Sequence, residues 1–276
     1  MKSILITGGS GFLGSHTCLS LLERGFNVFV IDSFEYSSPK ALYSVLNIYK
    51  KKYHGTICRL KIFKGDLRDK SFIKEVFLEI YKVNKKIDGV IHFGGVKSVS
   101  ESTKNPLLYW STNVSGTINL LETMSTFDCT HLVFSSSATV YASNNSVLTE
   151  ESPLGPINPY GNSKLSVEIL LKDIFKSQQN KIKFASLRYF NPIGAHPSGL
   201  IGESPLGTPN NIFPIILNTA KGEQKELKIY GNDWPTKDGT CIRDYIHVMD
   251  LADSHIKVLD YLLANEPTYF HLNIGT

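Results

Sequence analysis

Along roughly the first two thirds of the chain, short and nearly continuous apolar runs alternate with longer segments whose apolar residues recur at helical spacing. The short runs, Ile4–Thr7, Val28–Asp32, Leu60–Asp66, Gly89–Phe93, Leu132–Ser135 and Phe184–Arg188, are rich in β-branched and aromatic residues. They lack polar alternation, which is the pattern of strands covered on both faces. The longer segments, Gly14–Glu23, Ser71–Lys82, Leu107–Met124 and Ser163–Ser177, read as helices. Strand alternating with helix predicts right-handed crossovers and a doubly wound parallel α/β sheet of the Rossmann type. After Arg188 the texture changes to Asn191-Pro192, His196-Pro197-Ser198-Gly199 and Gly207-Thr208-Pro209-Asn210-Asn211. Such a Pro-, Gly- and Asn-dense stretch predicts long, functional loops. The expected division is a sheet domain over 1–188 and a smaller α+β lobe over 189–276.

Composition narrows the picture. With 276 residues, 42% of them hydrophobic, the chain can bury one large core, so one or two globular domains are expected. The net charge is only +4, and small lysine clusters such as Lys50–Lys52 and Lys85-Lys86 read as solvated faces, too weak a footprint for nucleic acid. Cys18, Cys58, Cys129 and Cys241 lie far apart, and the eight histidines show no ligand spacing, so neither a disulfide framework nor a metal is expected. Met1 leads straight into a strand, and no apolar run approaches the ~20 residues of a membrane span. The expectation is a soluble, cytoplasmic protein without membrane partners.

The first strand runs into Gly8-Gly9-Ser10-Gly11-Phe12-Leu13-Gly14, a GxxGxxG turn that opens a helix. Glycines there let the backbone turn tightly and approach a pyrophosphate, leaving amides and the helix dipole facing the anion. Asp32 ends the second strand, where a carboxylate accepts from ribose hydroxyls and repels a 2′-phosphate. Together they predict NAD as cofactor. Gly65-Asp66-Leu67 is a candidate for the adenine, and Phe93-Gly94-Gly95 with Lys97 for the pyrophosphate.

Tyr160-Gly161-Asn162-Ser163-Lys164 has YxxxK spacing at the start of a predicted helix, which puts both side chains on one face. An ammonium and an oxidised nicotinamide nearby favour the tyrosinate and pull a phenol from pKa ~10 toward the working pH. That makes a general base for a sugar hydroxyl while hydride leaves. The fifth strand ends in Ser135-Ser136-Ser137, and Ser137 is placed to hydrogen-bond the same oxygen as Tyr160.

With these features in hand, the chain resembles the extended short-chain dehydrogenases, and among them the UDP-glucose 4-epimerase family. The matching segments are TGGSGFLGSH (7–16), VIHFGGVKSVSES (90–102), FSSSATVY (134–141), PYGNSK (159–164), LRYFNPIGAHPSG (187–199), GTPNNIFP (207–214) and YGNDWPTKDGTCIRDYIHVMDLAD (230–253). The resemblance implies Ser137, Tyr160 and Lys164 as catalytic residues. It implies cofactor contacts from Gly8, Gly11, Phe12, Leu13, Gly14, Asp32, Asp66, Leu67, Phe93, Gly95, Lys97 and Asn113. Asn191, Asn211, Tyr230 and Arg243 then match positions that hold the UDP-sugar; the alternative for Arg243 is a surface ion pair with Asp238 or Asp244. It further implies transient oxidation at carbon 4 of the hexose by bound NAD, and a homodimer that pairs Leu107–Met124 and Ser163–Ser177 into a four-helix bundle. Gly94 and Ala142 replace the family's usual Ala and Gly. Members of the family continue for several tens of residues past the segment that ends here at Thr276, so the lobe is expected to be incomplete. A related epimerase or dehydratase and a non-catalytic NAD-binding paralogue are the rival readings; a dehydratase is expected to carry acids where this chain has Ala138-Thr139.

Overall fold

The computed structural model describes residues 1–54, 59–84, 86–142, 147–178, 181–207, 209 and 211–276. Cys58, Lys85, Thr208 and Asn210 lie outside the described residues. Seven strands form one sheet: β1 (Ser3–Thr7), β2 (Asn27–Asp32), β3 (Leu60–Lys64), β4 (Gly89–His92), β5 (His131–Ser137), β6 (Lys183–Tyr189) and β9 (Thr268–Ile274), in the order β3-β2-β1-β4-β5-β6-β9. Every pairing in it is parallel. A second, two-stranded parallel sheet joins β7 (Asn191–Ile193) to β8 (Tyr245–His247).

The lack of alternation in the apolar runs has a direct cause. Side chains alternate across a strand, and here both faces are covered. Ile4, Ile6, Val28, Val30, Ile91 and Val133 pack on one face, against helices α1 (Phe12–Glu23), α2 (Lys40–Lys52) and α9 (Val248–Ala264). Leu5, Phe29, Ile31, Val90, Leu132 and Phe134 pack on the other, against α3 (Lys70–Asn84), α6 (Gly116–Thr126) and α7 (Pro159–Ser177). Two cores, one on each side of a sheet, are the doubly wound arrangement that the pattern predicts.

The structure departs from the sequence reading in three places. First, the predicted boundary after Arg188 does not hold, because α9 and β9 return to the large sheet. β9 pairs with β6 from Lys183↔Thr268 to Tyr189↔Ile274, and α9 buries Leu251, Ile256, Leu259 and Leu262. Between β6 and α9 the chain forms β7, α8 (Ile212–Ala220) and β8. Second, the predicted helix Leu107–Met124 holds as continuous helical backbone, but with a π-helical stretch Trp110–Ser115 between α5 (Pro106–Tyr109) and α6, and with α4 (Val99–Lys104) before them. Third, Lys50–Lys52 are exposed, as read, but they close a helix that the spacing did not mark, α2, which buries Leu42, Val45, Ile48 and Tyr49 on its other face.

Candidate active site

Because the large sheet is parallel, the carboxyl ends of its strands share one edge, and the order reverses at β1 and β4, where open α/β sheets bind ligands. At that switch point the glycine turn meets the loop after β4. A Cβ on Gly14 would lie 2.3 Å from the Gly8 carbonyl oxygen, so only glycine lets α1 start this close to the turn. The helix N-cap, Gly11, supplies no side-chain cap. Its first-turn amides are left for an external anion, as a pyrophosphate requires. Phe12 and Leu13 are half-buried in that first turn.

Asp32 is buried, and its carboxylate accepts from the Ser10 amide at 2.8 Å, the Phe34 amide at 2.9 Å and the Ser37 hydroxyl at 2.7 Å. A carboxylate offers about four lone-pair sites, so one remains for a ribose hydroxyl. Asp66 is held by Arg68, whose guanidinium keeps the carboxyl below its ordinary range. Leu67 is buried beside it.

The loop after β4 is fixed by a chain of bonds that sequence reasoning missed. Thr117 Oγ1 donates to the Asn113 carbonyl at 2.6 Å, so it must accept from His92 Nε2 at 2.8 Å. His92 Nδ1 then accepts from Thr7 Oγ1 at 2.5 Å, and Thr7 Oγ1 accepts from the Gly94 amide at 3.0 Å. Each hydroxyl has one proton, so the chain fixes a neutral imidazole and its tautomer. Burial agrees, pushing His92 down to about 3. The visible signal was a polar residue ending each of two apolar strands.

Asn113 sits within the π-helical stretch and is buried. Its Oδ1 accepts from the Val96 amide at 2.8 Å, and its Nδ2 donates to the Val96 carbonyl and to Ser163 Oγ, both at 3.0 Å. It thereby ties the loop after β4 to α7. A Cβ on Gly95, at φ +156°, would stand 2.7 Å from Asn113 Oδ1. Phe93 stacks on His255 with ring centroids 4.7 Å apart.

Helix α7 begins earlier than its apolar spacing indicates, because Asn158 caps it by accepting from the Gly161 amide at 2.8 Å and Pro159 occupies the first turn. Tyr160 and Lys164 therefore lie on its first two turns, both buried against the end of β5. Ser137 Oγ accepts from the Thr139 amide at 3.2 Å and Thr139 Oγ1 at 3.0 Å, and its hydroxyl acts on the neighbouring Tyr160 phenol, opposing the effect of burial there. Lys164 Nζ donates to the Ser135 carbonyl at 2.8 Å and lies 6.0 Å from the centre of the Tyr160 ring. The chain's own groups thus do not lower the phenol as the spacing implies. Burial raises Tyr160 above its ordinary value, with the Ser137 hydrogen bond opposing it. Burial also pushes Lys164 down to about 8.

The lobe residues are placed differently. Asn191 is half-buried and donates through Nδ2 to the Asp244 carbonyl at 2.7 Å. Asn211 donates to Glu203, which also pairs with Lys97 at 3.4 Å, so Glu203 links a cofactor candidate to a substrate candidate. Tyr230 is 86% exposed. Arg243 is exposed, and its one hydrogen bond among the described residues runs to the Ile242 carbonyl at 3.4 Å. Asp238 accepts from Thr236 and Thr240, Asp244 accepts from Thr276, and among the described residues neither carboxylate forms an ion pair with Arg243.

This geometry has known counterparts. A family model described as GDP-mannose 4,6 dehydratase matches residues 5–272. UDP-glucose 4-epimerase 2 of Arabidopsis thaliana is 48% identical over 276 residues, covering 100% of this chain and 76% of that protein. The UDP-glucose 4-epimerase of Bacillus subtilis (strain 168) is 46% identical over 99% of this chain and 77% of its own length. Among solved structures, UDP-glucose 4-epimerase from Bifidobacterium longum, in complex with NAD+ and UDP, superimposes with a TM-score of 0.91 at 42% identity, over 100% of this chain and 78% of that one. The glycine turn, the YxxxK pair and this extent of similarity place the chain in the extended short-chain dehydrogenase/reductase family, among its UDP-glucose 4-epimerases.

Proposed function

We propose that this chain interconverts UDP-galactose and UDP-glucose by transient oxidation at carbon 4 of the hexose, with NAD retained as cofactor. The observation that carries the reading is the convergence of Ser137, Tyr160 and Lys164 at the sheet edge next to an uncapped glycine turn. NAD supplies the hydride acceptor, the hydride donor for the return step, and a positive ring charge that favours a phenolate. Gly8, Gly11, Phe12, Leu13 and Gly14 present the amides for its pyrophosphate, and Asp32 keeps one acceptor for a ribose hydroxyl. Asp66, Leu67, Phe93, Gly95, Lys97 and Asn113 complete the cofactor edge.

Tyr160 takes the proton from the sugar 4-hydroxyl and gives it back, while Ser137 holds the same oxygen. Lys164 keeps a positive charge beneath the pair. In the lobe, proposed here to span 189–247, Asn191, Asn211, Tyr230 and Arg243 hold the UDP-sugar; a guanidinium with no carboxylate partner among the described residues suits bidentate binding of a diphosphate. Ala138 and Thr139 put no acid beside Ser137, which favours epimerisation over dehydration.

We further propose a cytoplasmic homodimer. Leu107 (82% exposed), Trp110, Ile118 and Ile169 leave an apolar surface on the helices that a four-helix bundle would bury. No helix among the described residues is long and apolar enough to cross a membrane. Incubating the purified protein with UDP-galactose tests the activity: UDP-glucose forms without net consumption of NAD, whereas a protein that binds NAD but makes no UDP-glucose overturns the reading.

A further inference from the structure

One turn beyond Lys164, on the same face of α7, lies Glu168, which is 3% exposed. Its carboxylate accepts from Arg188 Nε at 3.0 Å, Arg188 Nη2 at 2.6 Å and the Ser136 hydroxyl. Arg188, on β6, is as deeply buried and also donates to the Tyr141 hydroxyl at 3.0 Å and the Glu150 carbonyl at 3.3 Å. One carboxylate therefore fastens α7 to β5 and β6. A buried ion pair is a poor source of stability, because desolvation cancels most of the attraction. Its position relative to Lys164 gives it another use.

The groups around Lys164 are few. On α7 they are Tyr160 and Glu168; on β5, the Ser135 carbonyl and the Phe134 ring, 4.9 Å from Nζ. His92 faces it from β4, held neutral by the Thr7–Thr117 chain. From β6 come Arg188, behind Glu168, and Tyr189, whose hydroxyl bonds Ser135 Oγ. Asn113 approaches from the π-helical stretch, and Tyr109, bonded to Glu101, stacks edge-on against Tyr160 from the far side. Among these, Glu168 is the anion that acts on Lys164, opposing the fall that burial imposes.

We propose that Glu168, with Arg188 as its counter-charge, is a positioning residue that sets the protonation of Lys164 and seats α7 on β5 so that Tyr160 meets Ser137. The inference rests on the proposed roles of Tyr160 and Lys164. Removing the carboxylate leaves the Lys164 and Arg188 cations without the anion they share, whereas removing the guanidinium leaves the carboxylate to Lys164 and the Ser136 hydroxyl, so the two single variants must act in opposite directions.

The test titrates Lys164 by NMR in lysine-labelled protein, its signal assigned with Lys164→Met, alongside the pH profile of UDP-galactose conversion. Glu168→Gln is expected to lower the Lys164 midpoint by about one unit or more, and Arg188→Gln to raise it. The double variant, which replaces the ion pair by neutral amides, falls between them and stands in for either single variant that does not fold. A midpoint that stays put, or moves the same way in both single variants, overturns the proposal. If the midpoints move as expected and the alkaline limb of the rate does not follow, the failure lies in the catalytic reading of Lys164 and not in the role of Glu168.

Discussion

On the sheet side of the proposed site, Ser137, Tyr160, Lys164 and Asn113 are buried, and Ser137, Lys164 and Asn113 are held by hydrogen bonds to neighbouring backbone or side chains. On the lobe side, Tyr230 and Arg243 project from irregular loops, and among the described residues Arg243 has a single long bond, to a carbonyl next door. Chemistry that moves a proton needs donors and acceptors fixed in advance, and burial among satisfied bonds achieves that. Binding a diphosphate needs charge with unused hydrogen-bonding capacity, which exposure preserves. The comparison predicts that substitutions on the sheet side damage stability or turnover, and those on the lobe side damage substrate affinity.

The strongest attempt to break that contrast is Gly14→Ala. Its Cβ would meet the Gly8 carbonyl oxygen at 2.3 Å and the Gly9 Cα at 2.6 Å, both rigid backbone. We expect a loss of about 1–3 kcal/mol or more and loss of NAD retention, read by thermal unfolding and by nucleotide content after gel filtration. Unchanged melting and full retention would show that the glycine turn is not the tight element described.

Next in size, Arg243→Ala is expected to raise KM for UDP-galactose by about 10- to 100-fold, the worth of a charge-assisted contact of roughly 1.5–3 kcal/mol. Melting should stay within about 0.5 kcal/mol, as for an exposed substitution. Steady-state kinetics and calorimetry together check this; a fall in kcat at constant KM would move Arg243 to the chemical side of the comparison.

Acid lability of the sheet side sharpens the comparison gradually, without any substitution. Burial holds His92 at about 3 and His255 at about 4, below the ordinary 6.5. Between those values and 6.5 the unfolded chain binds protons that the folded chain does not, so stability is full above about 6.5 and falls as pH drops. The slope is about 1.4 kcal/mol per pH unit for each histidine inside its window. Urea titrations from neutral to mildly acid pH measure it, and a flat profile would contradict the buried, neutral network around Thr7 and Thr117.

How much of this was legible in the sequence follows the same divide. Six of the seven large-sheet strands announce themselves, because residues such as Ile4, Leu5 and Ile6 are apolar on both faces of a covered sheet. The seventh, β9, lies at the sheet edge and is only half-buried, with His271 and Asn273 in its midst, so no apolar run marks it. The π-helical stretch Trp110–Ser115 keeps helical spacing in its letters, so the sequence shows the helix and not its local change of winding. Tyr160 and Lys164 were readable from their spacing. Glu168 continues the same face by four residues, yet its meaning needs Arg188, which is distant in sequence and brought near by the β5–β6 pairing.

The central claim is that the Tyr160 phenol carries the proton of the sugar 4-hydroxyl. The most direct test compares UDP-galactose conversion by the native chain and by Tyr160→Phe, with melting temperature and NAD content measured on the same samples. The account predicts a fall in turnover of about 10²- to 10⁴-fold with fold and cofactor retained. Epimerisation within a few-fold of the native rate by a folded, NAD-loaded Tyr160→Phe variant would contradict it.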